Sequence, residues 1–280
     1  MITTELVNGK RVIVNGDYRF AVLIPSRKRE EMLLRHPLLP VANVYVQDDE
    51  YEIYARTLSD NHATVGALFA HDAPPGFYFE WAHERLYDPE HENWYVQVED
   101  DVIGLVNLFT RIASRSHVTD PLKLLDIFTH DGIIASELPT GAWGYALTGN
   151  PRERRTYLPF RLRGWADAAV MGIIDKSVVP DPNVFTRGDV DYCLQMIVRY
   201  RVFWQDMRYA PVMKHEGGRS VGVGGLGGMR TTEQNKADLR YLIKKWGRNV
   251  ISPYGKEHGP GIAIQVTVPQ HHRPPKENRR

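Results

Sequence analysis

The sequence predicts an α/β domain whose central sheet is mostly parallel and flanked by helices, with a smaller mixed β region. Three observations predict it. Short apolar runs alternate with polar helical stretches, the first strand–helix–strand unit fits within about 30 residues, and clusters of charge follow the ends of the apolar runs.

In chain order, residues 18–25 (YRFAVLIP) read as a buried strand stopped by Pro25. Residues 27–36 follow as a short polar helix, and residues 41–47 (VANVYVQ) as a second strand. Residues 50–59 suit a helix, and residues 94–98 (WYVQV) a third strand ending in three acids. Residues 102–114 and 121–137 read as helices, the second with Pro121 in its first turn and Asp120 as cap. Residues 141–147, 158–162 and 168–174 are strand-like, and a helix is expected from Gly188 to about Tyr200. After a glycine-rich stretch, a helix over residues 232–246 should stop at Gly247, and residues 262–268 form a last strand. No repeat and no linker divide the chain. Residues 1–269 read as one domain, and the polar, basic residues 270–280 as a disordered tail.

Composition narrows the function. With 35 Lys+Arg against 34 Asp+Glu in 280 residues, the chain is neither a uniformly basic nucleic-acid coat nor an acidic tail protein. A local basic groove remains compatible with that balance. The single cysteine, Cys193, excludes an internal disulfide and a Cys-rich zinc site. No apolar run approaches the roughly 18–20 residues that cross a bilayer, and no signal peptide is visible, so a soluble, cytoplasmic protein is expected.

Four clusters have the residue types for chemistry. Glu99-Asp100-Asp101 follows a strand directly, at the sheet edge where α/β proteins bind ligands. Adjacent acids repel unless a cation or ligand neutralises them, and oxygen-rich sites select hard ions such as Mg²⁺ or Mn²⁺. The plain alternative is a solvated turn capping a helix from Val102. Pro25-Ser26-Arg27-Lys28-Arg29 puts three cations at a helix start, against the macrodipole, where a polyphosphate would meet charge and free backbone N–H groups, the plain alternative being a basic surface turn. Asp189 and Asp191 open a helix, either as caps or as a general base. His215 precedes a glycine-rich stretch and is either a candidate metal ligand or a surface or structural histidine. Gly222, Gly224 and Gly227 fit GxGxxG, but no strand closely precedes them, so a dinucleotide site is rejected in favour of a flexible loop. Asp48-Asp49-Glu50 after the second strand suit a base or ribose, or only the start of a helix. Arg152, Arg154, Arg155, Arg161 and Arg163, near Tyr157, Phe160 and Trp165, suit phosphates and stacked bases, or an exposed strand face.

Taken together, the order of these clusters resembles a nucleotide-sugar glycosyltransferase of the GT-A (Rossmann-like) fold. More narrowly, residues 225–239 (GLGGMRTTEQNKADL), 160–165 (FRLRGW) and 188–195 (GDVDYCLQ) are similar to the TET-associated, DNA-modifying glycosyltransferases of bacteriophages. The resemblance runs from about Arg19 to Gly247. It implies that Glu99-Asp100-Asp101 stands for the family's DxD motif, with Asp101 ligating Mn²⁺ or Mg²⁺ and His215 a further ligand. It implies a donor site of Pro25, Ser26, Arg27, Lys28, Asp49, Glu99 and Asp100, with uridine diphosphate the expected carrier. Asp189 or Asp191 matches the acceptor-activating base of inverting members. The implied acceptor is a hydroxymethylated pyrimidine in phage DNA, flipped out or met in the major groove, with Arg161, Arg163 and Trp165 on the acceptor side. The same chemistry on a glycan or protein acceptor, and a non-catalytic binding module, are the alternatives.

Overall fold

A computed structural model of the chain describes residues 2–59, 64–68, 87–88, 90–110, 116–147, 158–166, 168–214, 231–253 and 264–266. The chain opens on a hairpin, β1 (Ile2–Val7) and β2 (Lys10–Asn15), which pair antiparallel. Its turn places Asn8 and Gly9 at φ of 52° and 78°, the paired left-handed backbone of a two-residue hairpin loop.

β3 (Tyr18–Pro25), β4 (Asn43–Gln47), β5 (Thr64–Leu68) and β6 (Trp94–Val98) then form a parallel block in the order β5-β4-β3-β6. Beyond β6 the sheet turns mixed. β11 (Val170–Ile173) lies antiparallel to β6 and to β9 (Ala142–Tyr145). β12 (Trp204–Asp206) runs parallel to β9, and β10 (Phe160–Arg161) closes the edge. β2 pairs with the first half of β3, and β4 with the second half. Asn43 seals that change of partner. Its carboxamide exchanges hydrogen bonds with Arg11 N–H (2.7 Å) and Arg11 C=O (2.9 Å) and also donates to Val22 C=O (3.2 Å).

The helices lie on both faces. α1 (Glu30–Leu33) and α2 (Tyr51–Thr57) follow β3 and β4, while α3 (Pro121–Ser136) covers one face. Phe20, Val22 and Ile24 share a core with Leu124, Leu125 and Phe128 of α3. α4 (Gly188–Tyr200) covers the other face, where Ala21 and Leu23 meet Tyr192, Cys193 and Met196. Strands buried on both faces are continuously apolar, as residues 20–24 are. A further layer, α5 (Thr232–Trp246), packs on α4 through Val190, Leu194, Leu239 and Leu242.

Helix ends follow the expected caps. Asp120 accepts from Lys123 N–H (2.9 Å), Thr231 accepts from Gln234 N–H (3.1 Å), and Gly247 (φ 87°) ends α5. Residues 102–114 depart from expectation. Their described part holds no helix but β7 (Val102–Asn107), paired with β13 (Tyr209–Met213) and β8 (His117–Val118). Two neighbours satisfy that segment's backbone where helical bonds would have done so. Gly104 permits the approach, since a Cβ there would lie 2.4 Å from the Val118 carbonyl oxygen. β14 (Ile251–Pro253) pairs with β15 (Ile264–Val266). Among the described residues no helix is long and apolar enough to cross a membrane. The residue 270–280 tail lies outside them.

Two tryptophans fix how closely the layers approach. Trp94 and Trp143, both fully buried, meet edge-on at 6.0 Å. A Cβ on Gly132 of α3 would fall 2.3 Å from the Trp94 ring, and one on Gly172 of β11 would fall 2.0 Å from the Trp143 ring. Gly172→Ala and Gly132→Ala are therefore expected to lose about 1–3 kcal/mol by overpacking. Gly188→Ala, with open space at its Cβ, serves as the neutral control. Urea unfolding checks the order, and equal stability of all three variants would contradict it.

Candidate active site

Parallel pairing sends the ends of β3, β4 and β6 to one edge of the sheet. Three charged turns meet there: Ser26 to Arg29, Asp48 to Glu50, and Glu99 to Asp101. Ser26 N–H continues the ladder onto Tyr45 C=O at 2.8 Å.

The acids are neutralised from within. Asp100, 6% exposed, accepts Ser26 Oγ (2.7 Å) on one oxygen and Arg29 Nη1 (2.7 Å) on the other. The same Arg29 nitrogen stands 3.7 Å from Asp101 Oδ2. Burial works against the Arg29 charge, but Asp100, by charge and hydrogen bond, with Asp101 and Glu99 beside it, outweighs burial and raises its pKa. Ser26 gives its single proton to Asp100, so Tyr54 donates to Ser26 Oγ (2.9 Å) while accepting Arg29 N–H (2.8 Å). Burial pushes the Tyr54 hydroxyl up, which keeps it protonated for that role.

One expectation of the sequence is corrected at this turn. The backbone N–H groups expected to be open to a phosphate are partly taken: Lys28 N–H donates to Glu50 Oε2 (2.8 Å) and Arg29 N–H to Tyr54. Lys28 sits in the left-handed region (φ 53°), and the Glu50 bond holds it there. Glu50 is buried, and burial raises its pKa against the opposing pull of Lys28 N–H. What this turn presents outward is side-chain charge: Lys28 is exposed and Arg27 half-buried. Asp48 and Asp49 are exposed beside it.

Glu99 to Asp101 form a turn between two strands, not the cap of a helix. Glu99 N–H bonds to Ala169 C=O (2.9 Å), Val102 N–H returns to Glu99 C=O (3.2 Å), and Asp101 C=O accepts Lys214 N–H (2.8 Å). The chain thus leaves β13 directly beside Asp101. His215 and the glycine-rich stretch that follow lie outside the described residues, as do Arg152, Arg154 and Arg155. His36 lies against the triplet, with its Nδ1 accepting Leu38 N–H (3.2 Å). Burial lowers its pKa to about 4, opposed by the Glu99 carbonyl, so the ring is neutral.

On the opposite face of the sheet, the two acids at the start of α4 differ sharply. Asp189 is half-buried in the first turn. Asp191 is fully buried, with Trp246 Nε1 (2.8 Å) on Oδ1 and Gln195 Nε2 (2.7 Å) and Lys245 Nζ (3.0 Å) on Oδ2. Arg161 and Arg163 are half-buried near the sheet edge, where Phe160 is half exposed. Trp165 packs between the two cores of α4, and its carbonyl accepts Gln205 Nε2 (3.0 Å).

Sequence reasoning singled out the three turns, Arg29 and Glu50 among their residues, but neither Tyr54 and His36 nor the locking role of Glu50 and the neutralising role of Arg29. Only Arg29 and Glu50 left a signal, as members of the charged runs.

No family model and no curated protein matches the chain. Remote structural likenesses exist. S. aureus TarS, residues 1–349, aligns with a TM-score of 0.44 at 9% identity, over 82% of this chain and 73% of that one. The same TarS segment in complex with UDP gives 0.43 at 9% identity over the same shares. A cytidylyltransferase from Leptospira borgpetersenii gives 0.39 at 13% identity, over 81% of this chain and 94% of that one. At these scores the likenesses carry no functional weight, and the chemistry is read from the side chains.

His36 provides a test of the site's architecture. A histidine with a lowered folded pKa adds stability that is lost as pH falls, here between about 6.5 and about 4. Within that window His36 contributes a loss of up to about 1.4 kcal/mol per pH unit. His36→Asn, which keeps an acceptor for Leu38 N–H, should flatten the slope in urea unfolding across that range. An unchanged slope would remove His36 from the account.

Proposed function

We propose that this protein is a metal-dependent glycosyltransferase that takes a sugar from a nucleotide-diphosphate sugar, with uridine diphosphate as carrier. Its proposed acceptor is the hydroxymethyl group of a modified pyrimidine in DNA. The observation that carries the donor half is the meeting, at one parallel-sheet edge, of a basic turn and an acid triplet held in place by Arg29. The acceptor rests on the sequence resemblance.

The cation proposed is a hard divalent ion, which prefers oxygen ligands of the kind the acid triplet carries. Asp101 and Glu99 are the carboxylates proposed to hold Mn²⁺ or Mg²⁺, beside Asp100, which is bound by Ser26 and Arg29, and with Arg29 also 3.7 Å from Asp101 Oδ2. His215, which follows Lys214 in sequence and lies outside the described residues, is the second proposed ligand. When bound, the cation supplies charge stabilisation for the departing diphosphate.

The chain's own residues do the rest. Arg27 and Lys28 offset diphosphate charge from the outer side of the turn. Asp49, exposed beside them, meets the nucleoside. Asp189 is the base that accepts the acceptor hydroxyl's proton, because both oxygens of Asp191 are engaged in packing α4 on α5. Arg161 and Arg163 meet phosphates of the acceptor, and Phe160 is the exposed aromatic available to a base.

Calorimetric titration of UDP should give binding that requires Mn²⁺, is abolished by chelator, and is absent in Asp101→Ala. Binding retained in that variant would overturn the metal assignment. Asp189→Asn should lower transfer by about 10²-fold or more with UDP binding unchanged. Mass spectrometry of DNA carrying 5-hydroxymethylcytosine should then show an added hexose, and its absence with every donor would overturn the acceptor.

A further inference from the structure

Asn235, Asp238, Tyr241, Lys245 and Trp246 of α5 reach the segment that leads into α4 or its first turn. Asp238, fully buried, takes Thr186 N–H (2.5 Å) and the Thr186 hydroxyl (2.7 Å) on one oxygen, and Gln234 Nε2 (2.8 Å) on the other. Asn235 Oδ1 lies 3.1 Å from the same hydroxyl. One turn further along, Tyr241 (2.8 Å) and Lys245 (2.7 Å) donate to Asp181. Lys245 also bridges to Asp191, whose other oxygen takes Trp246 Nε1. Thr186 and Asp191 are thus each gripped from α5, and Asp189 lies between them.

This is more polar fastening than packing requires. α4 and α5 already share an apolar seam of Val190, Leu194, Leu239 and Leu242. Buried charges are costly to maintain and contribute little net stability, but they fix position. Arg187, the residue before α4, supplies no side-chain cap. The start of the helix is therefore held from outside.

We infer that α5 is the positioning element for Asp189: Asp238 fixes residue 186, and the Lys245–Trp246 pair fixes residue 191, so that the intervening carboxylate is presented at one place. In this role the α5 residues act through the backbone of residues 186–191. The inference rests on the reading of Asp189 as the acceptor base.

The test uses Thr186→Val, which removes the hydroxyl donor, beside Thr186→Ser, which keeps it. Amide hydrogen exchange needs no activity and reads the clamp itself. Residues 187–191 should exchange about tenfold faster in Thr186→Val, with residues 239–243 of α5 unchanged and Thr186→Ser at the wild-type rate. Turnover of UDP-glucose with Mn²⁺ and a 5-hydroxymethylcytosine oligonucleotide should show kcat reduced about tenfold or more in Thr186→Val. KM for UDP-glucose should stay unchanged, and Thr186→Ser should restore the rate. Unchanged exchange at 187–191, or equal acceleration throughout α5, overturns the clamp. Faster exchange with kcat unaffected overturns its positioning role. A wild-type protein that neither binds UDP nor turns over refutes the functional reading instead, and the exchange result then decides the clamp on its own.

Discussion

The guanidinium of Arg29 is what allows three consecutive acids to stand at the end of β6. Without a cation among them, Glu99, Asp100 and Asp101 would repel across a turn in which Asp100 is almost wholly buried. Breaking such a pair leaves an uncompensated buried charge, a loss of about 3–5 kcal/mol. The pair also explains the surrounding hydrogen bonds. Ser26 holds the second oxygen of Asp100, Tyr54 holds Ser26, and the Arg29 backbone donates back to Tyr54. The basic turn, the acid turn and α2 are thereby locked together through residues distant in sequence.

The same division of labour recurs at α4. In each acidic motif one carboxylate is buried and committed to structure while a neighbour keeps some solvent contact. Asp100 anchors beside Asp101, and Asp191 anchors two residues from Asp189. Burial of the first fixes the backbone that carries the second. An acid held this way would need little reorganisation to meet the proposed cation or proton. The two motifs are served by different supports: the first by the strand-end turns of β3 and β4, the second by α5.

Sheet topology brings these parts into register. The parallel block β5-β4-β3-β6 gathers its carboxyl ends, and the antiparallel strand β11 extends the sheet beyond β6, with Met171 and Ile173 in the core shared with α4. Asn43 lets β3 exchange β2 for β4 midway along its length without leaving buried backbone groups unpaired. Trp94 and Trp143, seated over Gly132 and Gly172, set the depth of the layers.

Local signals determined much of this protein. Asp120-Pro121, Thr231 and Gly247 mark the ends of α3 and α5 because capping is decided within a few residues, and the apolar runs of β3, β4 and β6 identify the buried sheet. Asn8-Gly9 carried an equally local hairpin signal that sequence reasoning passed over. The residues 102–114 were misread because an apolar run with a glycine suits either a helix or a strand, and only pairing with β13 and β8 chooses between them. Which acid is buried, and against which cation, was likewise settled only by tertiary structure. Arg29 and Asp100 are 71 residues apart, and Asp191 and Lys245 are 54 apart. Charge pairing inside a protein depends on who arrives in space, and no window of neighbouring residues contains that information.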